Sequence, residues 1–536
     1  MMEKAQKIKT VKLLDCTLRD GGYVNDWEFG HDNLVSIFER LADSGVDIIE
    51  IGFLDDRRIF DLNRSIMPNT QSVQKIYGML DRKESMVVGM IDYGTCGISN
   101  IQPCSESYLD GIRVIFKKHL RKEALAYCAE IKALGYKVFA QLVSVTSYSD
   151  EEMLDLIRLA NEVEPYAVSM VDTYGLMHQN NLVHYFDILE ANLKPDINLG
   201  YHAHNNFQMG YANCIAMLAK ETKREILVDG SLYGMGKSAG NAPIELIAMH
   251  MNHVYGKHYN ISQMLEAIDA NVLQFYKPAT WGYNMFYYIA AFNDCHPSYV
   301  QYLMDKRTLS VKSINDILAS LQGDKKLLYD KKYIEELYQK YQQVEVNDTQ
   351  AVDALGSALQ GKKVMLVGPG KSVLSQGNKI RQYHDQNDVV TISINHIPEY
   401  VEPDYVFISN AKRYVQLASR LLGGDYKLIA TSNVTAASAG EFAYVLNYGN
   451  LIDRTTDIID NSLVMVLKSL IRIGIREVVL AGFDGYSKSE SNYYHFAMEY
   501  DFIKDKAEYL NNYTKEMIAS YGQSIKISFL TESLYE

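Results

Sequence analysis

The feature that most constrains the fold is a regular alternation of short apolar runs and longer amphipathic stretches between residues 11 and 256. β-Branched apolar runs of this length are typical of parallel strands covered by helices on both faces. Eight strand and helix units in about 250 residues predict a (β/α)8 TIM barrel. An open, doubly wound sheet has the same rhythm, and the count of eight favours the barrel. The predicted strands are 11–16, 47–53, 86–92, 111–116, 137–144, 167–172, 198–204 and 226–232.

A second α/β series begins near residue 362, after a stretch that reads as helical and then strongly charged. It predicts a Rossmann-like open sheet, with strands at 364–367, 389–395, 405–409, 426–431 and 477–481. The predicted domains are a barrel over 1–256, a helical extension and linker over 257–350, and the second α/β domain over 351–536.

The charge balance argues against a nucleic-acid partner. The chain has 53 Lys and Arg residues against 66 Asp and Glu residues, a net charge of −13. Binding to nucleic acid depends on dense Lys and Arg contacts to phosphate, and the sequence has no basic block of that density.

The first ten residues lack the apolar core of a signal peptide, and no apolar run is long enough to cross a bilayer. We therefore expect a cytoplasmic protein without a membrane partner.

Polar side chains follow three of the predicted barrel strands, at the end where TIM-barrel active sites are built. An arginine and a carboxylate, Arg19 and Asp20, come just after the first strand. His202 and His204 end the seventh strand, and residues two apart in a strand share a face. Two imidazoles and a carboxylate form a ligand set for a divalent metal with open positions for substrate. A glycine-rich segment, 229–241, follows the eighth strand.

These three segments, with Thr-Leu-Arg-Asp-Gly, His-Ala-His-Asn and Gly-Asn-Ala-Pro in that order, resemble the DRE-TIM metallolyase family over roughly residues 10 to 330. The last loop is most similar to that of the 4-hydroxy-2-oxovalerate aldolases. The resemblance implies that Asp20, His202 and His204 bind Mn²⁺ or Mg²⁺, with Asn241 as a further ligand. It also implies that Arg19 stabilises the enolate oxygen of pyruvate and that Tyr283 assists proton transfer.

One position departs from the family pattern. The aldolases carry a histidine, their general base, three residues after the metal aspartate, and this chain has Tyr23 there. A phenol with a pKa near 10 is a poor base at neutral pH. The sequence leaves three alternatives open: Tyr23 or another group takes the proton, the substrate differs, or the aldolase chemistry has been lost.

Two more carboxylates, Glu50 and Asp172, are predicted to face the barrel mouth, and a substrate-binding role and a supporting role are equally compatible with that position. Gln141 and Lys237 are interpreted as ordinary polar residues. The predicted function is a metal-dependent aldolase acting on a 2-keto acid and an aldehyde, with a sugar-derived aldehyde as one candidate. The alternatives are a Claisen-type synthase that uses an acyl-CoA and a non-catalytic metal- or nucleotide-binding protein. The aldolase relatives assemble, so a homo-oligomer is an expectation.

The second domain opens with a strand and a Gly-Pro-Gly loop, a form that lets backbone N–H groups meet a phosphate at a helix N-terminus. It matches neither the strict P-loop nor the strict dinucleotide motif. The pattern is faintly similar to archaeal-type 6-hydroxymethylpterin diphosphokinases and to bacterial sialyltransferases. A nucleotide- or phosphosugar-binding site and a purely structural domain both fit this pattern. The residues predicted to bind a nucleotide are Gly368, Gly370, Ser372, Asn395 and Asn410.

Overall fold

The computed structural model describes residues 10–277, 280–305, 309–342, 344–421, 424–438, 440–456, 459–495, 498 and 501–536. The chain divides into two compact units, the first ending at Pro297 and the second beginning at Ser298. The predicted division at residues 256 and 350 stays a prediction. Apart from Thr10, the N-terminal segment used for the cytoplasmic prediction lies outside the described residues.

The first unit is a closed barrel of eight parallel strands, which confirms the predicted TIM barrel. The strands run in the order β1-β9-β8-β7-β6-β5-β4-β2, and β1 also pairs with β2. A two-residue strand, β3, pairs with β2 outside this ring and was not predicted, because so short a strand has no periodicity. The strands are β1 Val11–Asp15, β2 Ile48–Leu54, β3 Ile66–Met67, β4 Met86–Asp92, β5 Gly111–Phe116, β6 Lys137–Leu142, β7 Ala167–Asp172, β8 Asn198–Ala203 and β9 Ile226–Gly230.

Helices follow the strands as the sequence pattern predicts. The helix after β6 shows how the sequence fixes the start of a helix. Ser149 accepts a hydrogen bond from the Glu152 N–H, and the Glu152 carboxylate accepts one from the Ser149 N–H. This reciprocal cap satisfies two backbone donors that would otherwise have no partner. The helices are α1 Thr17–Asp20, α2 His31–Ser44, α3 Thr70–Tyr77, α4 Arg121–Ala133, α5 Asp150–Val163, α6 Gln179–Asn192, α7 Gly210–Ala219, α8 Ile244–Tyr255, α9 Ile261–Ala267 and α10 Met285–Phe292.

The barrel interior is layered because side chains alternate along each strand. An apolar layer at one level includes Ile48, Phe139, Ala167 and Leu227. Two residues further along the same strands come Glu50, Gln141, Ser169 and Asp229, all buried. The layer nearer the carboxyl ends of the strands is therefore polar, and it supports the groups at the barrel mouth.

The second unit is built on a seven-stranded parallel sheet in the order β14-β13-β12-β11-β10-β15-β16. This confirms the predicted second α/β domain, although the edge strands β14 and β16 were not predicted. Its strands are β10 Lys363–Val367, β11 Val389–Ile394, β12 Tyr405–Ile408, β13 Lys427–Thr431, β14 Tyr444–Leu446, β15 Glu477–Ala481 and β16 Lys526–Phe529.

The remaining helices connect these strands or precede them. None of the helices in the described ranges combines the length and apolar character that a membrane span requires. They are α11 Pro297–Asp305, α12 Val311–Ala319, α13 Lys331–Gln342, α14 Thr349–Leu359, α15 Ser372–Gln386, α16 Ala411–Leu421, α17 Ser432–Ala437, α18 Tyr448–Leu451, α19 Ser462–Arg472, α20 Asp501–Asp505 and α21 Ala507–Tyr521.

Candidate metal centre

Asp20, His202 and His204 come together in the barrel mouth, as the sequence predicts. One ligand atom from each residue lies within 4.8 Å of the other two, and all three side chains are buried. Asp20 Oδ2 and His204 Nε2 are 3.9 Å apart. The two imidazole rings lie 5.1 Å apart, centre to centre, at an angle of 85°. Two nitrogens and a carboxylate oxygen in this arrangement can bind a divalent metal ion on one side and leave room for substrate on the other.

The loop after β9 folds directly over these ligands. A Cβ atom on Gly236 would lie 2.3 Å from Asn241 Nδ2 and 2.6 Å from Asp20 Oδ2. Only glycine lets the backbone approach this closely. The glycine-rich character of this segment therefore has a steric cause at the site.

Asn241 supplies a fourth polar group. Its amide nitrogen donates a hydrogen bond of 2.7 Å to Asp20 Oδ2. Its buried Oδ1 atom has no hydrogen-bond partner among the described residues. A buried acceptor without a partner is costly in a folded protein. A cation held by Asp20, His202 and His204 would satisfy that oxygen, so the residues present fit a metal ion.

Arg19 is fixed beside Asp20 by two carboxylates. Its Nη1 atom donates to Asp20 Oδ1 and its Nε atom donates to Glu50 Oε2, each at 2.7 Å. Burial alone would raise the pKa of Asp20, but the positive charges of Arg19 and of the two imidazoles hold it well below its usual value. Asp20 is therefore ionised at neutral pH, as a metal ligand would have to be.

Asp229 orients His202 from within the polar layer. Its Oδ2 atom lies 3.0 Å from His202 Nδ1 and also accepts a hydrogen bond from Arg113. Because Nδ1 is engaged, the Nε2 atom of His202 is left as the ligand atom. Neither Asp229 nor Arg113 was predicted to be a site residue. A signal for Arg113 was present, since a charged residue within an otherwise apolar strand requires a buried partner.

Glu50 and Gln141 belong to the same polar layer. Arg113 Nη1 lies 3.0 Å from Glu50 Oε2, and Arg113 Nη2 donates to Gln141 Oε1 at 3.0 Å. Gln141 in turn donates to Ser169 Oγ at 3.0 Å. Glu50 thus lies in the barrel interior, where its partners are two arginines. Its substrate-binding role stays a prediction.

Asp172 is oriented differently from the prediction. The strand register pairs it with Ala203 and not with His202, so it lies on the other face of the sheet. Its carboxylate accepts hydrogen bonds from the Leu176 and Met177 N–H groups at 2.8 and 3.0 Å. Burial raises the pKa of Asp172 to about 6, although these N–H groups act against the rise. The Asp172 carboxylate therefore stabilises the loop that follows its own strand, and the prediction that it faces the barrel mouth is wrong.

Tyr23 lies at the mouth, and 43% of its surface is exposed. Its ring packs against Trp27 at 4.8 Å, and the Lys237 amine lies 5.2 Å from the ring centre. Desolvation of its covered part and the nearby Asp20 carboxylate raise the pKa of Tyr23 to about 12. The phenol therefore keeps its proton at neutral pH.

Tyr283 is mostly exposed, unlike the buried cluster. Its surface is 65% exposed, and it makes no hydrogen bond to the three metal-ligand residues in the described structure. Its role in proton transfer stays a prediction.

The backbone N–H groups of the glycine loop in the second unit donate to protein acceptors. The Gly368 and Gly370 N–H groups donate to the carbonyls of Ala481 and Gly482 at 2.8 and 2.9 Å. The Ser372 N–H donates to Asp484 Oδ2 at 2.7 Å. A carboxylate thus takes the position at the start of α15 where the sequence predicts a phosphate.

Residues 10–272 match the HMGL-like family model. The barrel is thus an HMGL-like domain, of the DRE-TIM metallolyase class that the motifs predict. The match ends at residue 272, so the resemblance of the second domain to nucleotide-using enzymes stays a prediction.

Individual relatives include aldolases, synthases and lyases. The chain is 24% identical to the 4-hydroxy-2-oxovalerate aldolase of Shewanella halifaxensis over 262 residues, 48% of this chain and 76% of that protein. It is 28% identical to the homocitrate synthase of Sulfolobus acidocaldarius over 269 residues, 48% of this chain and 55% of that protein. The crystal structure of the HMG-CoA lyase of Bacillus subtilis aligns with 50% of this chain and 94% of that one, at 18% identity and a TM-score of 0.42.

Proposed function

We propose that the barrel is a divalent-metal-dependent aldolase that joins or splits a 2-keto acid, such as pyruvate, and an aldehyde. The observation that carries this proposal is the buried cluster of Asp20, His202 and His204 beside the fixed guanidinium of Arg19. The name of the aldolase relative supports it further.

Asp20, His202 and His204 would hold Mn²⁺ or Mg²⁺, with Asn241 Oδ1 as a further oxygen donor. When bound, the ion supplies a Lewis acid that polarises the carbonyl of the keto acid. Arg19 places a fixed positive charge next to the site where the enolate oxygen develops. Because Glu50 and Asp20 already orient its guanidinium, no reorganisation is needed as that charge appears.

Tyr23 is the proposed proton donor. A phenol whose pKa is about 12 is protonated at neutral pH. In the condensation direction, the aldehyde oxygen becomes an alkoxide and takes up a proton, which Tyr23 would give. The neighbouring Lys237 amine favours the phenolate that remains.

The first test is the metal content of the purified protein, measured by mass spectrometry for the wild type and for Asp20→Ala and His204→Ala. We expect a stoichiometric divalent metal in the wild type and its loss in both variants. Pyruvate release or consumption is then measured with Mn²⁺ and a panel of short and sugar-derived aldehydes. Bound metal without any turnover across the panel would contradict the aldolase and favour a non-catalytic metal-binding protein.

A Claisen-type synthase is the second candidate, because a homocitrate synthase is among the relatives. Such an enzyme would release coenzyme A from acetyl-CoA in the presence of a 2-keto acid. A thiol assay with a panel of 2-keto acids separates the two activities, since the aldolase reaction releases no thiol.

A further inference from the structure

The second unit contains a partly open cavity at the carboxyl ends of its central strands. The cavity has about 1070 Å³ of empty space, including the solvent at its mouth. Segments that follow β10, β11, β12 and β15 line it, through Gly370, Asn395, Asn410 and Asp484. The order of the strands reverses between β10 and β15. Ligands of open parallel sheets bind in the crevice at such a reversal.

One wall of the cavity is a preorganised polar cluster. Asn395 has a φ of 56°, in the left-handed region that is unfavourable for most side chains. Its amide nitrogen donates to Ser462 Oγ at 2.7 Å, and its Oδ1 accepts from the Ser409 N–H at 3.0 Å. These contacts hold the ends of β11 and β12 and the start of α19 in one arrangement.

Asn410 supplies a donor in that wall. Its Oδ1 accepts a hydrogen bond from the Arg413 N–H at 3.1 Å. Its amide nitrogen has no partner among the described residues, and the residue is partly buried in the cavity lining. It is therefore available to a ligand hydroxyl or carbonyl.

The charges around the cavity disfavour a phosphate. Two carboxylates, Asp460 and Asp484, line it together with Arg413. The Arg413 side chain is buried and already donates to Gln416 Oε1 at 3.0 Å and to the Met498 carbonyl. Asp484 also accepts a hydrogen bond from the Ser372 N–H at the start of α15, where a phosphate would otherwise bind. A polyphosphate would meet two carboxylates and a guanidinium that already donates to two protein acceptors.

Other residues that line the cavity are apolar or aromatic, among them Ile394, Leu463, Phe483 and Tyr486. A ligand that suits both sets of residues has a flat ring with apolar faces and uncharged hydroxyl groups. We infer that this cavity binds a nucleoside by its base and sugar, without a phosphate at the glycine loop. The inference is independent of the barrel chemistry.

The test uses the full-length chain and calorimetric titration with adenosine, guanosine, cytidine and uridine, with their 5′-diphosphates, and with methyl glucoside. We expect at least one nucleoside to bind, and its diphosphate to bind no more tightly. Asn410→Leu should weaken that binding about 10-fold or more, because a hydrogen bond is lost within a lined cavity. The matched control is Asn378→Leu on the exposed surface of α15, which should bind as the wild type does.

Three results would overturn the inference: no nucleoside binds, the diphosphate binds more than about 10-fold tighter than its nucleoside, or Asn410→Leu leaves the affinity unchanged. Binding of methyl glucoside without any nucleoside would also overturn it. Hydrogen exchange of the peptides that contain β11 and β12 shows whether Asn410→Leu remains folded. Pyruvate turnover in the same variant reports separately on the barrel, so the two proposals can fail independently.

Discussion

Asp229 Oδ2 lies 3.0 Å from His202 Nδ1, deep in the barrel and beneath the candidate metal centre. The carboxylate is itself held by Arg113, which also pairs with Glu50. A histidine ligand whose second nitrogen is fixed in this way has one tautomer and one ring orientation. The geometry of the candidate metal centre therefore depends on residues outside the three candidate ligands.

Asp229→Asn should weaken metal binding by about 10- to 100-fold, because the amide cannot supply the negative charge that orients and polarises His202. Competition with a fluorescent chelator measures this affinity. Asp187→Asn, which changes an exposed carboxylate paired with Lys220, is the control and should bind metal normally. An unchanged affinity in Asp229→Asn would show that the carboxylate does not orient the ligand.

Glu50→Gln should destabilise the barrel by about 1.5–3 kcal/mol, since Arg19 and Arg113 each lose a charge-assisted contact and keep only Asp20 and Asp229 as carboxylate partners. Both tryptophans of the chain, Trp27 and Trp281, lie in the first unit, so their fluorescence during denaturation by urea reports on this unit. Glu162→Gln removes an exposed pair with Arg158 and should cost less than about 0.5 kcal/mol. Equal effects in the two variants would contradict the structural role of Glu50.

Gly236→Ala should weaken metal binding by at least about 10-fold, because the added methyl group would overlap Asn241 and Asp20 and push them apart. The control is Gly97→Ala, where the nearest neighbour of the new methyl group would be 3.6 Å away. Chelator competition on both variants checks the prediction, and normal affinity in Gly236→Ala would show that the loop can move.

Tyr23→Phe should lower kcat for aldol formation by about 100-fold or more if Tyr23 donates the proton, while metal content stays at the wild-type level. Tyr233→Phe is a matched control, because Tyr233 is also 43% exposed and also lies near the barrel mouth. A loss of less than about threefold in Tyr23→Phe would assign the proton to another group.

The second unit should lose stability as the pH falls from about 6.5 to about 4. Burial lowers the pKa of His396 to about 4, with smaller contributions from Arg420 and Arg413. The unfolded chain therefore binds a proton that the folded chain does not, and protonation favours unfolding throughout this window. Hydrogen exchange of the peptide that contains β11 measures the effect at pH 7 and pH 5. His396→Phe should reduce the pH dependence, and an identical dependence in this variant would contradict the assignment.

Much of the fold could be predicted because it depends on local patterns. The eight barrel strands begin and end within two residues of the predicted ones, since each is a short and mainly apolar run. The strand β3 and the edge strands β14 and β16 were missed because they are short or not apolar throughout.

The candidate ligands could be proposed from sequence for two reasons. Strand alternation places His202 and His204 on one face, and the rule for barrel active sites places Asp20, which follows β1, at the same end of the barrel. Asp172 could not be placed correctly, because one residue of register decides which face of a strand a side chain occupies. The hydrogen-bond partners of the glycine loop could not be predicted either, since Asp484 is more than a hundred residues away from Ser372 along the chain.

The sequence by itself thus determined the barrel, the second parallel sheet and the three candidate ligands, because periodicity and strand ends are properties of neighbouring residues. Only the tertiary structure decided how those ligands are supported. The pairing of Asp229 with His202 and Arg113, of Glu50 with two arginines, and of Asp484 with the start of α15 joins residues from distant segments. Such pairs form because a buried charge needs a partner, and only the closed fold decides which partner lies within reach.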